Sequence, residues 1–263
     1  MNPELMRIVD GISRDKNIEK ESILCDLEAA MASAAKKHFA TTETVEVKIN
    51  RETGDIEAYV SGEKIDIKKL GRIPAQTAKQ VMIQKLREDE RGSIYTEFQE
   101  RVGEISSGVV ARFEGGAIIV NIGRTEAILP RSEQIPGESH HPGERIRCLI
   151  IEVKEVPHQV RIILSRTHPD FVRRLFEQEV PEVTERVVEI RALSREAGYR
   201  TKVAVTSVDS KVDAVGACVG VRGSRIKNIV DELGGEKIDI VRWNESSQIL
   251  ISNALRPAEI REM

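Results

Sequence analysis

The chain has 263 residues, 40% apolar and 32% charged, with 40 Lys and Arg against 43 Asp and Glu for a net charge of -3. That length allows two or three domains of ordinary size, and the composition describes a soluble, cytosolic globular protein rather than a disordered or fibrous one. No apolar run approaches a membrane span, Met1-Asn2-Pro3-Glu4 lacks the pattern of a signal segment, and Cys25, Cys148 and Cys218 lack the spacing of a zinc site, redox motif or disulfide framework.

The first third reads as mainly helical. Ile23, Leu24, Leu27, Ala30, Met31 and Ala34 recur at three- and four-residue spacing and predict an amphipathic helix over about 21–38. Val45, Val47 and Ile49 alternate with charged residues, Asn50 to Asp55 supplies a turn, and Ile56 to Val60 returns, which predicts a hairpin. From Pro74 a helix dense in Lys, Arg and Glu runs through Val81, Met82, Leu86, Ile94, Phe98 and Val102. Its charges read as a solvated face, and its length suits a strut between domains.

Gly103 opens a different texture. Five short β-rich runs, 105–113, 117–122, 125–129, 144–153 and 160–164, are separated by Gly or Pro turns, and this predicts an OB-type barrel. Such barrels bind single strands by stacking bases on aromatic rings at roughly 1–3 kcal/mol per base. Only Phe113 is available, so the candidate contacts here are Arg112, Arg124 and Arg131, which read equally well as ordinary surface arginines.

The most informative stretch lies near the C-terminal end: Val219-Gly220-Val221-Arg222-Gly223-Ser224-Arg225-Ile226. A bare G-x-x-G occurs by chance in many proteins, so its context carries the weight. Val215 and Val219 before it, and Ile226, Ile229 and Val230 after it, mark flanking helices; Gly234-Gly235 stops the second, and Ile238 to Val241 reads as a strand. Val187 to Ile190 and Lys202 to Val205 read as two earlier strands. The order helix, strand, strand, helix, G-x-x-G, helix, strand is that of a bacterial-type (type II) KH module, which clamps single-stranded RNA or DNA. The glycines let a sugar-phosphate strand approach the backbone, and the following helix offers unpaired N–H groups to anions. Arg222, Arg225 and Lys227 add cations to the same mouth.

Charge argues against a strong polyanion binder. Residues 1–102 carry 17 basic and 19 acidic groups, 103–167 carry 8 and 8, and 168–263 carry 15 and 16. Cationic surpluses are local, at Arg191, Arg195, Arg200 and Lys202 and at the G-x-x-G mouth. Affinity for RNA is therefore expected to be modest and salt-sensitive, and to need a second anchor. No chemistry competes with binding. His140-His141 has no metal-ligand partner at the usual spacing, and no G-x-S-x-G, Walker or Rossmann motif occurs, so the expectation is no enzyme, no metal and no cofactor.

Four separate stretches carry a family resemblance: Leu70 to Gln80 (Leu-Gly-Arg-Ile-Pro-Ala-Gln-Thr-Ala-Lys-Gln), Glu179-Val180-Pro181-Glu182-Val183, Val215 to Gly223, and Gly235 to Val241. Together they resemble the NusA family of bacterial transcription elongation factors, from the N-terminal helix to Asn253-Ala254-Leu255. The resemblance implies a multidomain α+β chain: an RNA-polymerase-binding domain with its connecting helix over 1–102, an S1-like OB barrel over 103–167 and a first KH domain over 168–263. It further implies a non-catalytic cytoplasmic adaptor with no membrane contact. Such a protein binds RNA polymerase and nascent single-stranded RNA, modulates pausing, termination and antitermination, and joins other antitermination factors. RNA contact carries over to Gly220, Val221, Arg222 and Gly223, with Ser224, Arg225 and Lys227 as neighbours and Arg200, Lys202, Arg112 and Arg124 as further cations. The family pattern has a second KH domain packed on the first. This sequence ends at Met263, so a shorter RNA footprint is expected, and the stretch between the hairpin and Leu70 is shorter than the family pattern. The alternative is a stand-alone S1/KH RNA-binding module in RNA decay or translation.

Overall fold

Leu5, Met6, Val9 and Ile12 recur at helical spacing and form α1 (Pro3–Lys16), a helix not among those predicted. The predicted amphipathic helix is α2 (Lys20–His38), whose stripe of Ile23, Leu24, Leu27, Ala30, Ala34 and Ala35 is buried. This is a computed structural model, and it describes residues 3–16, 18–38, 44–65, 73–157 and 159–258. Leu70 to Arg72 of the long N-terminal motif, and His158, lie outside the described residues. The chain divides into two compact units, 1–97 with 155–160, and 98–154 with 161–263.

In the first unit β1 (Val45–Ile49) and β2 (Ile56–Val60) form the predicted hairpin in the register Val45↔Val60 to Ile49↔Ile56. Asn50 makes the turn, its Oδ1 accepting from the Glu52 and Thr53 N–H groups at 2.9 Å each. A short third strand, β3 (Glu63–Ile65), adds to β2. Arg51 ties the turn to α2 through Glu21 at 2.6 Å and through Glu28, whose carboxylate also accepts from the Ile49 N–H at 2.7 Å. The charged helix is one continuous element of 28 residues, α3 (Ile73–Glu100).

All five predicted runs become strands, in the second unit apart from 155–160: β4 (Ile105–Glu114), β5 (Ala117–Ile122), β6 (Thr125–Leu129), β7 (Arg145–Val156) and β8 (Gln159–Ser165). They close into a barrel in the order β4-β5-β6-β8-β7. Alternation sends Ile118, Val120 and Ile122, and likewise Ala127 and Leu129, into its interior. Gly108 is required where β4 crosses β5: a Cβ there would sit 2.5 Å from Val120 Cγ1 and 2.6 Å from the Asn121 carbonyl oxygen.

The rest of this unit is the expected KH arrangement. After α4 (Pro169–Glu179) and the single turn α5 (Pro181–Thr184), β9 (Val188–Glu196) and β10 (Arg200–Ser207) pair antiparallel. A crossover of two helices, α6 (Ala214–Val219) and α7 (Ser224–Glu232), then brings β11 (Lys237–Arg242) back parallel to β10. The strand order β11-β10-β9 leaves β11 on an edge. Phe171, Leu175 and Phe176 of α4 fill the core with Val203 and Val205 of β10, Cys218 of α6 and Ile229 of α7. Beyond the prediction, α8 (Ser247–Leu255) lies against β11.

Candidate nucleic-acid interface

The G-x-x-G stretch is an exposed turn between two helices. Asp213 caps α6, its Oδ2 accepting from the Gly216 N–H at 3.2 Å. Gly220 (φ 75°) ends that helix, and Val221–Gly223 make one 3-10 turn. Within the turn Arg222 is left-handed (φ 54°, ψ 26°), a conformation seldom held by a side-chain-bearing residue. Gly223 then starts α7 with no side-chain cap, so N–H groups of the first turn are left for a ligand. Val221 projects with 81% of its surface exposed. Beside the turn runs a groove of about 820 Å³, lined by Val215, Val219 and Ile226 from the two helices and by Ile238 and Ile240 of the edge strand. An apolar floor, a phosphate-sized turn at one end and a strand edge along the side suit a short extended strand of unpaired bases.

The predicted cations divide into three kinds. Arg222 and Lys227 are exposed at the turn and have no hydrogen-bond or ion-pair partner among the described residues. Arg225 instead turns inward. Its guanidinium donates to Glu182 Oε2 at 2.8 Å and to the Ala217 carbonyl at 2.7 Å, and its stem covers Gly220, where a Cβ would lie 2.7 Å from Arg225 Cγ. The sequence expectation of three free cations at the mouth is thus corrected to two, with Arg225 and Glu182 holding the turn in place. Lys202 lines the groove with Asp239, and Arg200 and Lys202 converge on Asp239 Oδ2 at 2.6 and 3.6 Å, while Lys202 also donates to the Ala254 carbonyl at 2.5 Å. The Arg200 hydrogen bond holds the Asp239 carboxyl below the usual carboxylate range. Arg191 pairs with Glu189 at 2.9 Å.

Arg195, counted above in the local cationic surplus, has its charged end withdrawn from solvent. Its side chain is 1% exposed and meets the equally buried Glu236 at 2.9 Å. On the barrel, Arg112 bridges Glu114 at 2.6 Å and Glu126 at 2.5 Å, so its charge is already compensated. Arg124 and Arg131 are exposed, and Phe113 at the end of β4 is 49% exposed.

Against this geometry, comparison with known proteins is decisive. The NusA-like first KH domain matches residues 166–243, the S1 RNA binding domain matches 99–166, and the NusA N-terminal domain matches 4–65 and 60–92. The transcription termination/antitermination protein NusA of Halalkalibacterium halodurans is 40% identical over 292 residues, covering 99% of this chain and 76% of that protein. Its namesake from Bacillus subtilis is 40% identical over 295 residues, covering 100% of this chain and 80% of that protein. The chain belongs to the NusA family. The solution structure of the N-terminal domain of NusA from B. subtilis also matches, at 32% identity and a TM-score of 0.28, covering 35% of this chain and 99% of that one. The NusA family is one of non-enzymatic transcription termination/antitermination factors. Among the described residues no helix is long and apolar enough to cross a membrane.

One feature of this NusA-family chain is invisible to motif reading. Arg166, 3% exposed at the end of the barrel, uses all its N–H donors at the seam between barrel and KH fold. Nε and one terminal nitrogen grip Glu138 at 2.8 and 2.7 Å; the other terminal nitrogen meets Glu232 Oε1 at 2.9 Å and the Arg147 carbonyl at 2.6 Å. A further N–H reaches the Glu232 carbonyl at 2.7 Å, at the last turn of α7. Arg147 adds a second cation to Glu232 at 2.7 Å. The helix that starts at the G-x-x-G turn is therefore fastened to the barrel at its other end.

His140 completes the seam. Its Nε2 faces Glu138 at 3.3 Å and its Nδ1 faces Glu144 at 3.2 Å, so only the imidazolium can donate to both. The Glu138 hydrogen bond raises the His140 pKa above its ordinary 6.5. A raised folded-state pKa means the contribution is complete below 6.5 and is lost as pH rises from there through the raised value. Glu144 is held below 4.5 by the His141 N–H and by His140, so its share is present above 4.5 and lost in acid. Urea midpoints for the second unit are accordingly expected to fall between pH 6 and pH 8 in the parent and to stay flat in His140→Phe; equal slopes in both would refute the assignment.

Proposed function

We propose that this chain is a transcription elongation factor of the cytoplasm that binds RNA polymerase and the nascent single-stranded transcript, and so modulates pausing, termination and antitermination. In this reading residues 1–102 dock on the polymerase, 103–167 form an S1-type surface and 168–263 a KH surface. Other antitermination factors join the complex. The observation that carries the RNA half is the exposed Val221-Arg222 turn, with two cations unpartnered among the described residues beside a groove of aliphatic floor and polar rim. RNA contact falls to Gly220, Val221, Arg222, Gly223, Ser224 and Lys227, with Arg225 as their support. Arg200, Lys202 and Arg112 contribute only by exchanging a carboxylate for a phosphate. So few contacts give weak binding, and tethering to the polymerase offsets this by raising the effective RNA concentration to the millimolar range.

The test is a transcription assay with purified polymerase, scoring pause lifetime with and without the protein, beside RNA binding at low salt. The parent should lengthen hairpin pauses. Val221→Asp with Arg222→Asp should weaken RNA binding by about 2 kcal/mol, roughly thirtyfold, with unchanged circular dichroism. Undiminished RNA binding by the double variant would refute the loop assignment. Failure of residues 1–102 to retain polymerase would favour the stand-alone RNA-binding module instead.

A further inference from the structure

The KH groove does not end at the far side of α6. Asp213 and Arg242, which line its end away from the G-x-x-G turn, also line a second recess of about 430 Å³ bordered by Thr206, Ser207, Lys211 and Trp243. The two hollows are consecutive. α6 separates the turn from this recess by six residues, about 9 Å of helix rise. A strand entering at the G-x-x-G turn and following α6 is thus delivered to Trp243.

We propose that this recess is an additional nucleotide subsite of the RNA surface, in which Trp243 stacks on a base and Arg242 and Lys211 take the adjoining phosphate. The inference rests on the reading of the KH groove as an RNA site. Trp243 is fixed at the end of β11 by its backbone N–H, which donates to the Val205 carbonyl at 2.9 Å. Its indole is half-buried, and the indole N–H has no partner among the described residues. Lys211 is exposed and its ammonium has none either. Arg242 is 70% exposed and, among the described residues, is paired only with Asp213, at 3.0 Å and itself 60% exposed. An exposed pair of this kind contributes little, so its guanidinium can change to a phosphate oxygen at small cost. Asp213 would keep the Gly216 N–H that it caps, and Asp209 on the same rim is occupied by the Lys211 N–H at 2.9 Å.

An aromatic face beside cations is the arrangement that holds single strands without regard to sequence. The barrel offers one exposed ring, Phe113, and the KH fold offers Tyr199 at the turn between β9 and β10, which lines neither hollow; Trp243 is the ring that borders the recess into which the groove leads. A protein segment could also use an exposed indole, but Arg242 and Lys211, beside carboxylates that already accept main-chain N–H groups at Asp213 and Asp209, favour a phosphodiester.

Trp243 is the chain's single tryptophan, so its emission reports on this recess alone. The experiment uses the full chain and end-labelled oligoadenylates of about four nucleotides, enough for one KH groove, and of about eight. Binding is followed by anisotropy of the label and contact by tryptophan quenching. The longer oligomer should bind about tenfold tighter and quench Trp243, while the shorter binds without quenching. Trp243→Leu and, separately, Lys211→Ala should abolish that gain and leave the shorter oligomer's affinity unchanged; Trp243→Phe should retain part of it. The proposal is overturned if the longer oligomer binds without altering Trp243 emission, or if the gain survives in Lys211→Ala and Trp243→Leu; either result would leave the indole for a protein partner. If neither oligomer binds, the RNA reading of the groove falls as well, and the anisotropy distinguishes that case from failure of the recess alone.

Discussion

Glu236→Ala is expected to destabilise the KH fold by about 3–5 kcal/mol, the usual consequence of removing one member of a buried ion pair. Glu236 follows the Gly234-Gly235 stop of α7, and its carboxylate enters the core at 0% side-chain exposure. There it accepts from Arg195 at 2.9 and 3.0 Å, from the Gly198 N–H at 2.8 Å and from Thr201 Oγ1 at 2.5 Å. Alanine would leave a guanidinium of 1% exposure with only the His168 carbonyl at 2.9 Å, and would orphan two further donors. Burial alone would raise the Glu236 pKa, but the hydrogen bonds from Arg195, Thr201 and Gly198 outweigh it and hold the carboxyl below 4.5. A lowered folded-state value stabilises above 4.5 and is lost as pH falls through it, so this group contributes to acid unfolding. Trp243 emission against urea reads the KH transition directly. A midpoint in Glu236→Ala within experimental error of the parent would show that the pair is not structural.

The same residues explain where reading the sequence alone stops. The barrel strands and the G-x-x-G turn were legible because their signals are local: alternation over five to ten residues, and glycines at fixed offsets. Helix α1 carried a usable signal in Leu5, Met6, Val9 and Ile12, whereas the three-residue β3 is too short to show a period. Net charge, by contrast, misleads about which cations are free. Arg225 finds Glu182 across 43 residues, Arg195 finds Glu236 across 41 and Arg166 finds Glu232 across 66, and nothing in a linear window pairs them. Trp243 escapes linear reading for the opposite reason: a lone aromatic after a strand reads as core, and only the recess beside it reveals a partly open residue.

Arg166→Met should be the second severe substitution, and it separates rigidity from local binding. Methionine matches the stem but removes every donor, leaving Glu138 and Glu232 facing each other at 10% and 19% side-chain exposure with only His140 and Arg147 to offset them. The expected cost is about 3 kcal/mol. Lysine should not rescue it, because three donors on a point charge cannot reproduce a fork that grips Glu138 with two N–H groups and still reaches the Arg147 and Glu232 carbonyls. The functional consequence follows from what the seam holds. On the RNA reading proposed above, unfastening α7 from the barrel leaves each surface its own contacts, but an RNA long enough to touch both loses the benefit of a fixed spacing. Short oligomers that occupy only the KH groove should therefore bind Arg166→Met as they bind the parent, while longer ones lose about tenfold. A uniform loss at every length would mean that the substitution damages the groove itself, and equal binding at every length would mean that the barrel and the KH fold act on RNA independently.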